Sequence, residues 1–415
     1  MQKKGSEEMS VKKIAVIGAG ASGLCAAVEA AKESTNCVIT VFDRMPKAAK
    51  KILVTGNGRC NFTNTDLSLA DFHGDEVFLR NVLSSPYSDS EGFFRQMGVL
   101  PYIEDGRVYP RSQQASAIRD ALLSEASQMK INILTDTAVT EITKKDGRFS
   151  INGAVYDAVI VAGGGKAATV HGSDGSAYAL LTQFGHTCTP LYPGLCALLS
   201  HEKILKALKG VRCEAEIKLY CGKVLLGKEN GEIQFNDTSV SGIPVMNLSH
   251  LCRDSENLRV ELDLCKELTQ NDLQKHIRAF IHNTPASETE ILLSGIINRN
   301  LGYAVMEKAG IAPHTSVGRL SETEIGKLCG ILKCFTLAVD KAKGFDSAQV
   351  TEGGIAVDEF APETMMSRLC DGLFACGEIL NIHGKCGGYN LHLAWTTGRI
   401  AGHNAAKYIS GNERK

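Results

Sequence analysis

No Cys-x-x-Cys pair occurs in this 415-residue sequence, although it carries 14 cysteines. That absence removes the dithiol shuttle of disulfide-exchanging enzymes, and no Cys/His group has the spacing of zinc ligands. Thiols scattered along a chain of this length point to a reducing compartment and mostly buried, inert side chains. Charge of one sign is also missing: 45 Lys and Arg face 46 Asp and Glu, a net −1. Such balance argues against a broad basic surface for nucleic acid or anionic lipid. Aromatics are sparse at 6%, with one Trp, so no aromatic cage for an amine stands out. Internal repeats, low-complexity stretches and long polar linkers are absent. The rest, 44% hydrophobic and 22% charged, describes a folded chain too long for one ordinary core.

The beginning of the chain has a superficial likeness to a secretory signal. Lys3, Lys4, Lys12 and Lys13 precede a largely apolar run from Ile14 to Ala31. That run, however, holds Gly18, Gly20, Ser22, Gly23 and Glu29 at spacings that serve nucleotide binding rather than export. No membrane span is left, and the expectation is a cytoplasmic protein with a mobile tail over residues 1–10.

Residues 13–43 carry the first chemistry. Ile14–Ile17 reads as a short buried parallel strand. Gly18-Ala19-Gly20-Ala21-Ser22-Gly23 follows as G-x-G-x-x-G, and an Ala-rich helix runs from about Ser22 to Lys32. A second strand, Val38–Phe42, ends at Asp43, twenty residues past Gly23, where an acid meets a ribose hydroxyl. Gly18 permits the tight turn, Gly20 lets backbone approach a pyrophosphate, and Gly23 lets helix pack on strand. The helix N-terminus then offers N–H groups and its positive dipole end to the diphosphate. The glycines alone would be a weak signal; strand, helix and acid together define a dinucleotide site. They do not separate FAD from NAD.

Residues 50–64 read KKILVTGNGRCNFTN, in which Thr55-Gly56-Asn57-Gly58-Arg59 forms a loop with two glycines free to take positive φ. Such a loop is either a solvated turn or a donor of backbone N–H groups and one guanidinium. Further blocks are GRVYPRSQQA (106–115), VAGGGKAATVHGSDGSAYALLTQFGH (161–186), SVSGIPVMNLS (239–249), TEGGIAV (351–357) and GLFACGEILNIHGKCGGYNLHLAWTTGRIAG (372–402). Together they resemble, in order, the bacterial BaiN-like NAD(P)/FAD-dependent oxidoreductase family, which includes bile-acid reductases and aminoacetone oxidase. Two departures fall near the end: Asn381 stands where the family usually has an acid, and His392 and Trp395 are bulkier than usual.

The resemblance implies an α/β chain with a two-dinucleotide-domain-like FAD-binding Rossmann domain, interrupted by a β-barrel and a small helical subdomain. Residues 11–190 and 347–415 would form the FAD-binding domain, and 191–346 the substrate-side insertion, helical over about 267–331. Alternation in 211–226 fits antiparallel strands of that barrel. Asp157–Val161 reads as a buried strand, and Ala162-Gly163-Gly164 after it resembles a turn that approaches FAD at the sheet edge. The same likeness places Val139 at the adenine, Gly377-Glu378 at the ribityl chain, and contacts from Arg44, Thr55, Cys60 and Asn61. Gly387-Gly388-Tyr389-Asn390-Leu391 opens a helix through about Lys407, whose positive end would favour reduced flavin.

No second G-x-G-x-x-G with its own strand and acid is present, so NADH or NADPH would be a transient donor visiting the flavin in turn with substrate. The resemblance leads to reduction of a conjugated C=C in a 3-oxo bile acid or similar small apolar carbonyl compound. An amine or amino-ketone oxidase and a non-catalytic or macromolecular flavoprotein are the alternatives, and balanced charge disfavours an RNA substrate. His383, Tyr389 and His392 cluster beside the flavin-side turn as candidates to give a proton or bond a carbonyl. In general each such residue is more often a plain structural hydrogen-bonder. Cys60 and Cys386 read as spectator thiols on the same side, and no resident metal is expected.

Overall fold

A computed structural model describes residues 11–253 and 255–411; the tail expected over residues 1–10 lies outside them. The chain forms two compact units, residues 1–192 with 350–415 and residues 193–349. The first unit is built on a five-stranded sheet of β1 (Lys12–Ile17), β2 (Cys37–Phe42), β3 (Asn132–Leu134), β4 (Ala158–Val161) and β5 (Leu373–Ala375). Its spatial order is β5-β4-β1-β2-β3, every pair parallel. β4 is buried at every position, as are the last four residues of β1 and β2, which is why these strands read as unbroken apolar runs. β1 begins two residues before its apolar run because exposed Lys12 and Lys13 pair with Cys37 and Val38 without needing burial.

Helix α1 (Ala21–Glu33) crosses from β1 to β2, and α2 (Tyr389–Ile409) returns at the far end of the chain to lie against it. Their approach is set by two glycines of α2. A Cβ on Gly398 would stand 2.3 Å from the Ser22 carbonyl oxygen, and one on Gly402 2.0 Å from that of Ala26. Because 22 meets 398 and 26 meets 402, the two helices run in the same direction. Beneath α2, Trp395 is fully buried, edge-on to Phe94 at 5.1 Å, and its indole N–H donates to the Phe62 carbonyl at 2.8 Å.

The second unit holds a seven-stranded antiparallel sheet, led by Arg212–Cys221 and Val224–Phe235. Its two edge strands, Phe335–Val339 and Lys341–Ala342, are consecutive in the chain with only Asp340 between them, so the sheet has curled until its edges meet. Helices Gln270–Asn283, Thr289–Ser294, Arg299–Ala309 and Glu322–Lys333 belong to this unit. The first and last begin with capping boxes, Thr269 with Asp272 and Ser321 with Glu324. Among the described residues no helix is long and apolar enough to cross a membrane.

Candidate functional site

Parallel pairing brings the C-terminal ends of β1, β2, β3, β4 and β5 to one edge, and the sequence-predicted residues gather there. Gly18 takes φ +107°, and a Cβ on it would strike the Ala162 carbonyl oxygen at 2.4 Å. A Cβ on Gly23 would lie 1.8 Å from the Gly18 carbonyl oxygen. Both glycines are therefore packing requirements. Gly20 is different: its φ is −83° and a Cβ there would meet nothing within 4 Å. It is the N-cap of α1, and no side chain caps that end.

Asp43 closes the loop from the other side. One carboxylate oxygen accepts the Ala19 N–H at 2.8 Å and the other the Met45 N–H at 2.8 Å. Burial pushes this carboxyl above its ordinary pKa, against the pull of the two N–H groups and of Arg44. Arg44 itself is ion-paired with Asp174. Thr137 N–H donates to the Asp43 carbonyl at 2.8 Å, which brings the irregular segment containing Val139 alongside.

The 55–61 loop joins the glycine loop through the Ala49 N–H, bonded to the Ala19 carbonyl at 2.8 Å. Gly56, Asn57, Gly58 and Cys60 all have positive φ, at 54°, 55°, 83° and 57°. A Cβ on Gly56 would press on the Asn61 nitrogen at 2.9 Å. Arg59 lies over the Tyr109 ring at 4.0 Å and pairs with Glu104 at 2.7 Å, while its buried Nε finds no partner. Thr55 donates to the Ile52 carbonyl at 2.7 Å. All 14 cysteines are free and seven are buried; burial pushes Cys60 up to about 12 and Cys386 to about 11, which leaves both thiols protonated and inert.

After β4, Gly163 faces Ala177 and Gly164, at φ +73°, faces the Ser173 hydroxyl, so neither position has space for a side chain. Gly377, at φ +80°, lies against Ser22 and donates its N–H to Thr397 Oγ1 at 3.0 Å. Glu378 is engaged by two groups that no motif pointed to: Lys51 Nζ at 2.7 Å and the Thr351 N–H at 3.0 Å. Both partners sit inside sequence blocks with a family likeness, and that was the available signal. The N-cap of α2 is Gly388, at φ +96° and 2.4 Å from the Thr63 carbonyl by its absent Cβ, again without a side-chain cap. Gly387 accepts from Asn64 at 2.9 Å, and the Asn390 amide is committed to the backbone of Gly384 and Lys385. Leu391 packs on the core.

The three candidate proton donors separate. Tyr389, 9% exposed, stands edge-on to Phe72 at 5.4 Å, and burial pushes its hydroxyl up to about 12. His383 stacks on His73, a residue outside every sequence motif, at 4.9 Å. His392 is a correction. It is fully buried, with Nδ1 hydrogen-bonded to the hydroxyls of Thr63 (2.9 Å) and Ser90 (3.0 Å) and Nε2 to that of Ser88 (2.9 Å). Burial pushes it down to about 4, so it is a neutral core hydrogen-bonder with no ring nitrogen turned outward.

In the second unit, Glu288, Glu290 and His314 bring their ligand atoms within 4.8 Å of one another and are the described residues able to hold a metal ion. In the structure the imidazole bridges both carboxylates at 3.1 Å, which holds it above its ordinary pKa.

Two helix N-termini without side-chain caps, a glycine opening into free space and a parallel sheet that delivers both define a dinucleotide-binding protein of the Rossmann type. Sequence comparison makes it more specific. The HI0933-like protein Rossmann domain matches residues 12–404, and the chain belongs to that family. It is 34% identical over 407 residues to the 3-dehydro-bile acid delta(4,6)-reductase of Clostridium scindens, covering 96% of this chain and all of that one. It is 27% identical to the ribosomal RNA dihydrouridine synthase of Haemophilus influenzae, covering 92% and 95% of the two chains. Among solved structures, the FrdA subunit of Escherichia coli quinol fumarate reductase shares the fold, with a TM-score of 0.51 at 15% identity over 97% of this chain and 72% of that one.

Proposed function

We propose that the protein is an FAD-dependent oxidoreductase that reduces a carbon–carbon double bond conjugated to a carbonyl, in a 3-oxo bile acid or similar flat, apolar compound. One observation carries the cofactor reading: α1 and α2 run side by side with staggered, positively polarised ends. Gly20 precedes its contact residue Ser22 by two positions, and Gly388 precedes Gly398 by ten. α2 therefore begins eight residues, or about 12 Å, beyond α1. A ligand with a diphosphate at one end and an electron-accepting ring further along suits that stagger, and FAD is such a ligand.

When bound, FAD supplies two-electron hydride chemistry. The chain's own residues bind and orient. The end of α1 and open Gly20 take the diphosphate, and Asp43 takes a ribose hydroxyl. The positive-φ run at 56–58 turns backbone N–H groups toward the ligand, and the end of α2 favours negative charge on the ring. Tyr389, held protonated by burial, is suited to hydrogen-bond a substrate carbonyl and not to deliver its proton. The bile-acid reductase and the ribosomal RNA dihydrouridine synthase both support the reaction class, because dihydrouridine is uridine whose carbonyl-conjugated C5=C6 bond has been reduced. The ribosomal relative favours one second reading, an RNA uracil in place of a free enone, and the test includes it.

Reduced anaerobically with NADH or NADPH, the protein should be reoxidised rapidly in stopped flow by a conjugated 3-oxo bile acid. Reoxidation by uracil-containing RNA alone would shift the substrate to RNA. Bleaching of the oxidised form by an amino-ketone, with enones inert, would replace the reductase with an oxidase. With no second dinucleotide motif, steady-state kinetics should be ping-pong, and intersecting double-reciprocal lines would contradict a shared flavin face. Asp43→Ala releases the Ala19 and Met45 N–H groups and should weaken FAD binding roughly tenfold in calorimetry; an unchanged Kd would remove Asp43 from the site.

A further inference from the structure

His73 and His383 stand directly opposite one another on the antiparallel pair Phe72–His73 and His383–Gly384. Their rings stack with centroids 4.9 Å apart and 24° between planes. The ladder that carries them cannot slide. A Cβ on Gly74 would meet the Ile382 side chain at 2.8 Å and the Asn381 carbonyl oxygen at 2.9 Å. One on Gly384 would meet Tyr389 Cβ at 2.5 Å, and the Asn390 amide grips Gly384 from both its N–H and its carbonyl. The strands therefore hold the two imidazoles in fixed register immediately before the open N-terminus of α2. His383 is 8% exposed and His73 half-buried.

Two imidazoles face to face at this distance do not carry two charges at once without strong repulsion, whereas one charged ring gains from lying on a neutral one. The protons therefore enter one after the other, as a property of the pair. The titratable groups around the pair are otherwise engaged. Asp71 and Lys385 neutralise each other at 3.1 Å. Asp75 caps the helix Glu76–Leu83. Burial holds the Tyr389 hydroxyl and the Cys386 thiol protonated, and His392 is a neutral core group. Glu352, 1% exposed, lies on the strand Val350–Glu352 that packs against His383–Gly384.

We propose that the stacked His73–His383 pair stores a single proton and is the acid of the reaction, His383 as the catalytic donor and His73 as the positioning residue that keeps its ring placed and its second protonation suppressed. This rests on the enone-reductase reading. With bound FAD as the two-electron donor, the β-carbon would gain a hydride, and the electron pair of the resulting enolate would form a C–H bond at the α-carbon with the proton of His383, regenerating the carbonyl. His383, left neutral, is reprotonated from solvent.

The first measurement needs neither substrate nor turnover: a histidine-resolved nitrogen NMR titration of the oxidised holoprotein. The wild type should show His73 and His383 protonating in sequence, and His73→Phe, which keeps a stacked ring, should reduce this to one simple step at His383. Independent, simultaneous curves in the wild type overturn the pair. The second is the stopped-flow half-reaction. His383→Phe should slow reoxidation by enone roughly 10²–10⁴-fold, far more than it slows reduction by the nicotinamide donor. His73→Phe should retain most of the rate at its optimum and move the pH profile, which a merely structural role would not do. A wild type that reacts with enone while His383→Phe reacts equally fast overturns the assignment of the acid. A wild type that no enone reoxidises overturns the reading of the site instead, whatever the titration shows.

Discussion

Gly20→Val should leave a folded protein that no longer binds FAD, with affinity reduced at least a thousandfold, about 4 kcal/mol. Gly23→Val, three residues on, should fail to give a folded protein. The two outcomes follow from where the new side chains go. At Gly20 a Cβ projects into space with no protein atom within 4 Å, and the ordinary φ of −83° admits any residue. Nothing in the chain is displaced; what is lost is the approach to the uncapped end of α1, which only a ligand would use. At Gly23 the Cβ would overlap the Gly18 carbonyl oxygen at 1.8 Å, a backbone atom fixed by the Gly18 N–H bond to Phe42 and by β4 on its other side. A strain of more than about 4 kcal/mol is expected there, a large share of a domain's stability. Thermal unfolding of the ligand-free variants, followed by FAD titration, checks both. A Gly20→Val protein that binds FAD normally would move the diphosphate elsewhere.

Acidification should cost the protein stability well above the pH range of its carboxylates, and His392 is the reason. Its folded-state pKa is pushed down to about 4 from 6.5 by burial alone. Below pH 6.5 the unfolded chain takes up a proton that the folded chain refuses, so stability is full above that pH and falls as the pH drops toward 4. The whole window is worth roughly 3 kcal/mol, of which about 2 kcal/mol is lost by pH 5. Urea unfolding of the wild type and His392→Gln at pH 7.5 and pH 5 isolates the effect. The gap between the two proteins should narrow by about 2 kcal/mol at the lower pH; parallel curves would mean that the imidazole is hydrated in the native state.

The parallel sheet and the two glycine turns were legible because each is specified locally, by an apolar run of strand length followed by glycines with defined duties. The placement of carboxylates was not. Glu378 reads in sequence as a ligand for a ribityl chain, yet its nearest cation is Lys51, 327 residues away, and no periodicity relates the two. His392 looked available for chemistry because it lies three residues into a helix whose start faces the site. The hydroxyls that enclose it come from Thr63, Ser88 and Ser90, more than 300 positions earlier. His73 is inconspicuous in the sequence for the complementary reason. It belongs to no motif and gains meaning only when a two-residue strand pairs with another from the opposite end of the chain.

The same long separations impose an order of events during synthesis. β5 and α2, which complete the sheet edge and cover α1, are translated after the whole of residues 193–349. Until Gly398 and Gly402 have emerged, the apolar face of α1 that they cover and the outer side of β4 have no partner. Residues 193–349 are by then translated and contain a complete barrel core of their own. The interrupting unit is thus free to fold first, on the nascent chain, while the first unit waits in two pieces with a long stretch of exposed apolar surface. Cofactor capture, which needs the N-terminal ends of both α1 and α2, waits until the later of the two pieces has joined the earlier one.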